Sequence, residues 1–77
     1  MARVFEFLFL TKTNQIVNLK RIDKDGRCLT IRGKSYAVLN SCMDIGISQE
    51  DVSYVQAQDN EIIVFVTNEG KENEMAT

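Results

Sequence analysis

The tetrapeptide Asp23–Gly26 is the feature of this 77-residue sequence that most constrains its fold. Aspartate favours the first position of a type I turn, and glycine accepts the positive φ that ends a three-residue hairpin loop. A hairpin closed by this turn separates apolar from polar side chains, as a half-buried antiparallel pair requires. The predicted register pairs Asp23 with Arg27, Ile22 with Cys28, Arg21 with Leu29, Lys20 with Thr30, and Leu19 with Ile31.

Further segments extend this hairpin into a β-rich pattern. The dipeptide Gly33-Lys34 suits a two-residue turn of type II′, which predicts a third strand over Tyr36–Leu39. Arg3–Leu10 alternates in the manner of a strand, with its three phenylalanines on one face and aliphatic residues on the other. Those two faces carry Phe5, Phe7 and Phe9, and Val4, Leu8 and Leu10.

The second half of the chain contains a second predicted hairpin. Val52–Gln58 favours a strand, Asp59-Asn60 suits a two-residue turn, and Ile62–Val66 is the strongest strand candidate of the sequence. An alternative remains open, in which a capping-box-like arrangement begins a short helix near residues 48–57. The residues before this hairpin, 40–50, are predicted to be irregular.

These segments predict a mostly β fold: a small antiparallel β-barrel or curved sheet of five to six strands, similar in size to SH3-like folds. The α+β alternative has one short helix near 48–57. Residues 1–68 are expected to form a single domain, followed by a polar, acidic and disordered tail at 69–77. The sequence indicates no membrane-spanning run, no signal peptide and no lipid anchor. We therefore expect a small soluble cytoplasmic protein.

The residue types disfavour catalysis. The chain has no histidine, so it lacks the usual general base near neutral pH and the common pairs of a nucleophile with histidine. Cys28 and Cys42 are two thiols without a histidine, and they cannot complete a zinc site. We therefore expect no enzymatic activity, no cofactor and no metal.

Two short stretches are similar to ligand-binding motifs but lack essential residues. Gly33-Lys34-Ser35 is similar to the end of a phosphate-binding loop, yet Cys28 stands where the first glycine belongs, and no helix is predicted to follow. Asp23–Gly26 is similar to the start of a calcium loop, but Arg27 occupies the third acidic position and no glutamate closes the loop. Both stretches are predicted to be hairpin turns.

Residues 51–60, continuing to Asn68-Glu69-Gly70, combine an acidic residue, alternating apolar residues with an aromatic, a polar turn, a strand and a glycine. This pattern resembles one strand pair of the LytTR DNA-binding family. The resemblance covers about a quarter of the chain. The basic residues that this family uses on DNA are missing, so no functional residue is assigned from it.

Charge is distributed unevenly along the chain. Residues 1–39 carry eight basic and three acidic side chains, a net charge of +5, whereas residues 40–77 carry one basic and eight acidic side chains, a net charge of −7. Together these give the −2 of the whole chain. The asymmetry indicates either a binding surface or two oppositely charged parts of one solvated surface.

We therefore expect a non-enzymatic binding module that acts through protein–protein interaction, as an adaptor or inhibitor, using its acidic second half or an exposed strand edge. The alternative is a nucleic-acid-binding module that contacts phosphates through Lys20, Arg32 and Lys34, although the acidic net charge disfavours it. Strands that are apolar on both faces also predict a homodimer. The residues predicted for self-association are Phe5, Phe7, Phe9, Ile63 and Phe65.

Overall fold

The computed structural model describes residues 2–67. The elements are α1 (Val4–Leu10), β1 (Ile16–Ile22), β2 (Cys28–Lys34), α2 (Ser35–Ile45), β3 (Val52–Gln58) and β4 (Glu61–Thr67). They form one four-stranded sheet of order β2-β1-β4-β3. Two antiparallel hairpins, β1–β2 and β3–β4, are joined through the parallel central strands β1 and β4.

Both helices contribute to a core on one face of the sheet. Alternate residues of the central strands point toward the helices, because successive side chains of a strand project to opposite faces. The opposite face, here called the open face, carries the intervening residues, and neither helix of the described chain covers it. The buried apolar residues are Val4, Leu8, Val17, Leu19, Val38, Cys42, Ile47, Val52, Val64 and Val66.

The first hairpin confirms the predicted turn and register residue for residue. The N–H of Asp23 donates to the carbonyl of Arg27 at 3.0 Å, and Gly26 has a φ of 84°. The second hairpin is also confirmed, since its turn residues Asp59 and Asn60 both have positive φ, at 51° and 63°. Turns with two such residues match the twist of paired strands. The alternative helix near 48–57 is therefore wrong.

The predicted strand over Arg3–Leu10 is wrong, because these residues form helix α1. The alternating phenylalanines obscured a second pattern, in which Val4, Phe7 and Leu8 share one side of a helix through their i, i+3 and i+4 spacing. Val4 and Leu8 are the buried members of that side. The amides of Val4 and Phe5 donate to the carbonyls of Glu50 and Ser48, which satisfies donors that a helix start leaves without partners.

The predicted turn at Gly33-Lys34 and the strand over Tyr36–Leu39 are also wrong. β2 continues to Lys34 and passes directly into α2, which ends at Gly46 with a left-handed φ of 83°. A helix therefore does follow Gly33-Lys34-Ser35, contrary to the expectation. Residues 28–34 are a strand rather than a loop, so the stretch still cannot wrap a phosphate.

The coarse expectation of a small β-rich α+β domain is confirmed, but the barrel is not formed. The described chain has four strands instead of five or six, and the sheet is open, with β2 and β3 as its edges. Two helices replace two predicted strands, so the fold is not all-β. The predicted tail at 69–77 lies outside the described residues.

Candidate functional site

The outer edge of β3 is the most unusual surface of the described chain. None of the seven residues of β3 is charged, and every one after Val52 is exposed. Large side chains are included, since Tyr54 and Val55 have exposed fractions of 58% and 40%. Proteins commonly protect edge strands with charges, prolines or bulges, because free backbone groups there pair readily with another strand.

The helices leave this strand uncovered. α2 packs on β1 and β2, and α1 packs on α2. Val55 and Ala57 pair with Val64 and Ile62 of β4, so they point to the helical side of the sheet, yet both are exposed. β3 therefore presents side chains on both faces and backbone groups along its edge.

The hairpin geometry indicates which backbone groups face outward. Gln58 and Glu61 close the two-residue turn, and the carbonyl and amide that flank such a turn bond to each other. Hydrogen-bonding residues alternate along an antiparallel pair, so Gln56 and Tyr54 also bond to β4. We therefore expect Val55 and Ala57 to direct their N–H and C=O groups to the outer edge.

The start of β3 already accepts a strand-like partner from its own chain. The amide of Val52 donates to the carbonyl of Ala2 at 2.9 Å, and the amide of Val4 donates to the carbonyl of Glu50 at 2.8 Å. Arg3 and Asp51 form an antiparallel bridge between these two bonds. This edge is thus geometrically able to pair with an extended segment.

A β-bulge separates this covered portion from the remaining edge. The register of β3 against β4 shifts between Val52 and Tyr54, and the hydroxyl of Ser53 donates to the carbonyl of Phe65 at 3.0 Å. A bulge interrupts the regular spacing of edge groups. The segment Tyr54–Gln58, here called the free edge, is therefore the regular part that no segment of residues 2–67 pairs on its outer side.

A partly buried ion pair fixes the segment that leads into β3. Two nitrogens of Arg21 contact the two carboxylate oxygens of Glu50, at 2.6 Å and 2.8 Å. The two side chains are 17% and 13% exposed. The hydrogen bond from Arg21 to Glu50 raises the pKa of the guanidinium, which therefore stays charged near neutral pH. Bidentate pairs of this kind fix orientation as well as distance.

The structure brings the three predicted phosphate contacts to one surface. Lys20, Arg32 and Lys34 all lie on the open face, in register on β1 and β2. The aromatic rings of Tyr54 and Phe65 lie on the same face, with centroids 5.4 Å apart. This arrangement combines positive charge with aromatic surface.

One carboxylate partly neutralises that surface. Glu61 accepts a hydrogen bond from Nε of Arg32 at 2.8 Å, and the amide group of Asn18 lies 3.4 Å from its other oxygen. The hydrogen bond from Arg32 lowers the pKa of Glu61, which keeps this carboxylate charged at neutral pH. Among the strand residues that the structure describes, three cations therefore share the open face with one anion.

The residues predicted for self-association are not brought together. Phe5, Phe7 and Phe9 lie on α1, on the helical side of the sheet, whereas Ile63 and Phe65 lie on the open face. Phe9 is 78% exposed, and with four neighbours it lines a shallow apolar groove. Those neighbours are Ala2, Phe5, Glu6 and Leu10. The five residues are thus divided between the two sides of the sheet, and their role in self-association stays a prediction.

The two thiols occupy different surroundings. Cys28 is exposed on β2, while Cys42 is buried on α2, and burial raises the pKa of the Cys42 thiol to about 11. That thiol is protonated at neutral pH and packs as an apolar side chain. Among residues 2–67, no group of three potential ligands is placed to hold a metal ion. Neither helix of this range is long and apolar enough to cross a membrane.

The sequence predicted β3 as a strand but not its position at an edge. Edge placement follows from the parallel pairing of β1 with β4, which no local pattern specifies. The absence of charge in β3 was no signal either, because uncharged runs as long or longer occur at residues 13–19 and 35–43.

The fold and this edge define a small α+β protein with an open, mixed four-stranded sheet, layered on one face by two helices. Comparison with protein-family models, with curated proteins and with solved structures found no match to the chain. The resemblance to the LytTR family thus rests on the hairpin pattern alone.

Proposed function

We propose that this protein is a non-enzymatic protein-binding module that adds an extended strand of its partner to the free edge of β3. The observation that carries this proposal is the uncharged, exposed edge strand, which has regular outward backbone groups over Tyr54–Gln58. Main-chain hydrogen bonds supply the affinity in this mode of recognition, and alternate side chains supply the specificity.

The surroundings of the free edge favour a docked strand over bare solvent. An added strand would lie beside Tyr54 on the open face and beside Val55 and Ala57 on the helical side. Each of these side chains would lose exposed apolar surface, which is favourable at about 25 cal/mol per Å². The bonds from the amide of Val52 to the carbonyl of Ala2, and from the amide of Val4 to the carbonyl of Glu50, are an intramolecular precedent for such pairing.

A defined peptide probe tests the proposal. The probe is a ten-residue synthetic peptide of alternating valine and threonine with a lysine at each end, titrated into isotopically labelled protein. We expect its binding to shift the amide resonances of Val55 and Ala57 and to slow their hydrogen exchange. The proposal fails if the peptide does not bind, or if the shifts lie elsewhere.

Two proline variants provide the matched comparison. Val55→Pro removes an outward N–H of the free edge and leaves the β3–β4 bonds in place, as edge positions allow. Thr30→Pro makes the same change on the outer edge of β2, because the bond between Asp23 and Arg27 sets the alternation there. Peptide binding should be lost in Val55→Pro and kept in Thr30→Pro.

A second candidate function is binding of single-stranded nucleic acid on the open face. The specific observation is the Tyr54–Phe65 ring pair on the same face as Lys20, Arg32 and Lys34. Bases stack on aromatic rings while lysine and arginine contact phosphates. We rank this function second because the chain carries a net charge of −2 and Glu61 already engages Arg32.

Fluorescence anisotropy with a labelled twelve-nucleotide oligothymidine distinguishes the two functions. Nucleic-acid binding predicts an affinity that weakens with salt and falls in Lys20→Gln and Tyr54→Ala. Val55→Pro would leave it unchanged, because that substitution acts at the edge and not on the open face. The strand-docking proposal predicts no measurable oligonucleotide binding at physiological salt.

A further inference from the structure

We infer that the strand docking on β3 is β3 of a second copy of this chain, in an antiparallel pair with Gln56 on the two-fold axis. This inference rests on the proposed function of the free edge as a strand-docking site. It places two copies side by side, so that their described strands form one continuous sheet of eight.

Symmetry restricts how β3 can pair with itself. In a continuous antiparallel sheet, the two-fold axis runs perpendicular to the plane of the sheet and keeps the open faces of both copies on the same side. Side chains that point to one face must therefore oppose side chains that point to that same face. Val55 can then face Val55 or Ala57 of the second copy, but not Gln56.

The chain's own contacts select between these registers. Centring on Val55 would bring Gln58 of the second copy opposite Val52, where the carbonyl of Ala2 already accepts the amide. Centring on Gln56 pairs Tyr54 with Gln58 of the second copy, and the paired segment ends two positions short of Val52. That register uses the whole free edge.

The outward backbone groups of the free edge also favour the register centred on Gln56. Val55 of each copy lies opposite Ala57 of the other, and these are the residues whose N–H and C=O groups are expected to point outward. Each such pair can exchange both bonds, as antiparallel partners do. Since β3 has no charged residue, the pairing also brings no like charges together.

Disulfide cross-linking tests the register directly. In a Cys28→Ser background, which removes the exposed native thiol, Gln56→Cys places two cysteines opposite each other, with Cα atoms about 4.5 Å apart. That separation lies within the range a disulfide spans. Val55→Cys is the matched control, because its two copies would be offset along the strands by about 7 Å, which puts their Cα atoms about 8 Å apart, beyond disulfide reach.

At low micromolar protein with mild oxidant, we expect Gln56→Cys to cross-link at least about tenfold faster than Val55→Cys, since pairing raises the effective concentration of the thiols. Equal rates, or no cross-linking of a folded Gln56→Cys variant, would overturn the inference. Sedimentation of the unmodified chain gives a second readout, with a dimer expected for it and a monomer for Val55→Pro.

The outcome separates this inference from the proposed function. If the valine–threonine peptide binds β3 while Gln56→Cys does not cross-link and the chain sediments as a monomer, strand docking stands and self-pairing is wrong. If the peptide fails as well, both are wrong. If cross-linking succeeds and excess peptide suppresses it, both are supported at the same edge.

Discussion

The two edges of this sheet differ in how they are protected. β2 carries Arg32 and Lys34, runs directly into α2 and lies beneath that helix. β3 carries no charge, and its helical-side residues Val55 and Ala57 remain exposed. Charged side chains and covering elements are the usual protection against edge-to-edge pairing. The difference indicates that β2 terminates the sheet, whereas β3 is available for pairing with a further strand.

The largest expected effect is the difference in stability between proline substitutions on the inner and the outer side of β3. Gln56→Pro removes an amide that we expect to bond to β4, so it should lower the free energy of unfolding by about 3 kcal/mol or more. Val55→Pro removes an outward amide and should cost much less. Urea unfolding of both variants provides the measurement. Equal losses would show that the inferred alternation of hydrogen bonds along β3 is wrong.

The ion pair that precedes β3 should give the next largest effect. Glu50→Gln leaves the partly buried guanidinium of Arg21 without its carboxylate, which we expect to cost about 1–3 kcal/mol of unfolding free energy. Arg32→Gln, which breaks the more exposed contact with Glu61 near the β2 edge, is the control and should cost less. A smaller loss in Glu50→Gln than in Arg32→Gln would contradict this ranking.

The turns of the two hairpins should respond in opposite directions. Gly26→Val places a β-branched residue at a φ of 84° and should destabilise the fold by more than about 1 kcal/mol. Asn60→Gly relieves a non-glycine residue of positive φ and should raise the melting temperature slightly. Calorimetry of both variants checks these signs. An unchanged melting temperature in Gly26→Val would show that this turn does not limit stability.

The smallest predicted effect is a pH dependence at Glu61. Arg32 lowers the pKa of this carboxyl in the folded chain below its ordinary value of 4.5. A lowered folded pKa contributes stability above the unfolded value, and that contribution is lost as pH falls through the folded value. The difference in stability between the unmodified chain and Glu61→Gln should therefore shrink below pH 4.5. A difference that is constant from pH 7 to pH 3 would contradict the assignment.

Local chemistry explains which parts of the fold could be predicted from the sequence. The turn at Asp23–Gly26 specifies its own register, and the turn at Asp59-Asn60 does the same for the second hairpin. Helix α1 could not be identified, because the two-residue alternation of its phenylalanines masked the helical spacing of Val4, Phe7 and Leu8. The length of β2 was also missed, because Gly33 has turn propensity but lies within the strand.

The candidate binding surface depends on contacts between residues distant in sequence. The open-face cations Lys20, Arg32 and Lys34 could be grouped from the first hairpin alone, since its register places them on one face. The free edge could not be located, because it exists only once β4 has paired with β1 and left β3 outermost. The alternation of apolar residues in Arg3–Leu10 likewise suggested a strand that shares a self-association surface with β4. Because these residues form α1, they lie on the helical side of the sheet, whereas Ile63 and Phe65 lie on the open face.

Amide hydrogen exchange measured at several protein concentrations tests the difference between the two edges most directly. We predict that the amides of Val55 and Ala57 become more protected as concentration rises, because these groups pair with a second copy. The outward amides of Thr30 and Arg32 on β2 should exchange at rates that do not depend on concentration. Concentration-independent exchange at Val55 and Ala57, or an equal rise in protection on both edges, would contradict the assignment of β3 as the pairing edge.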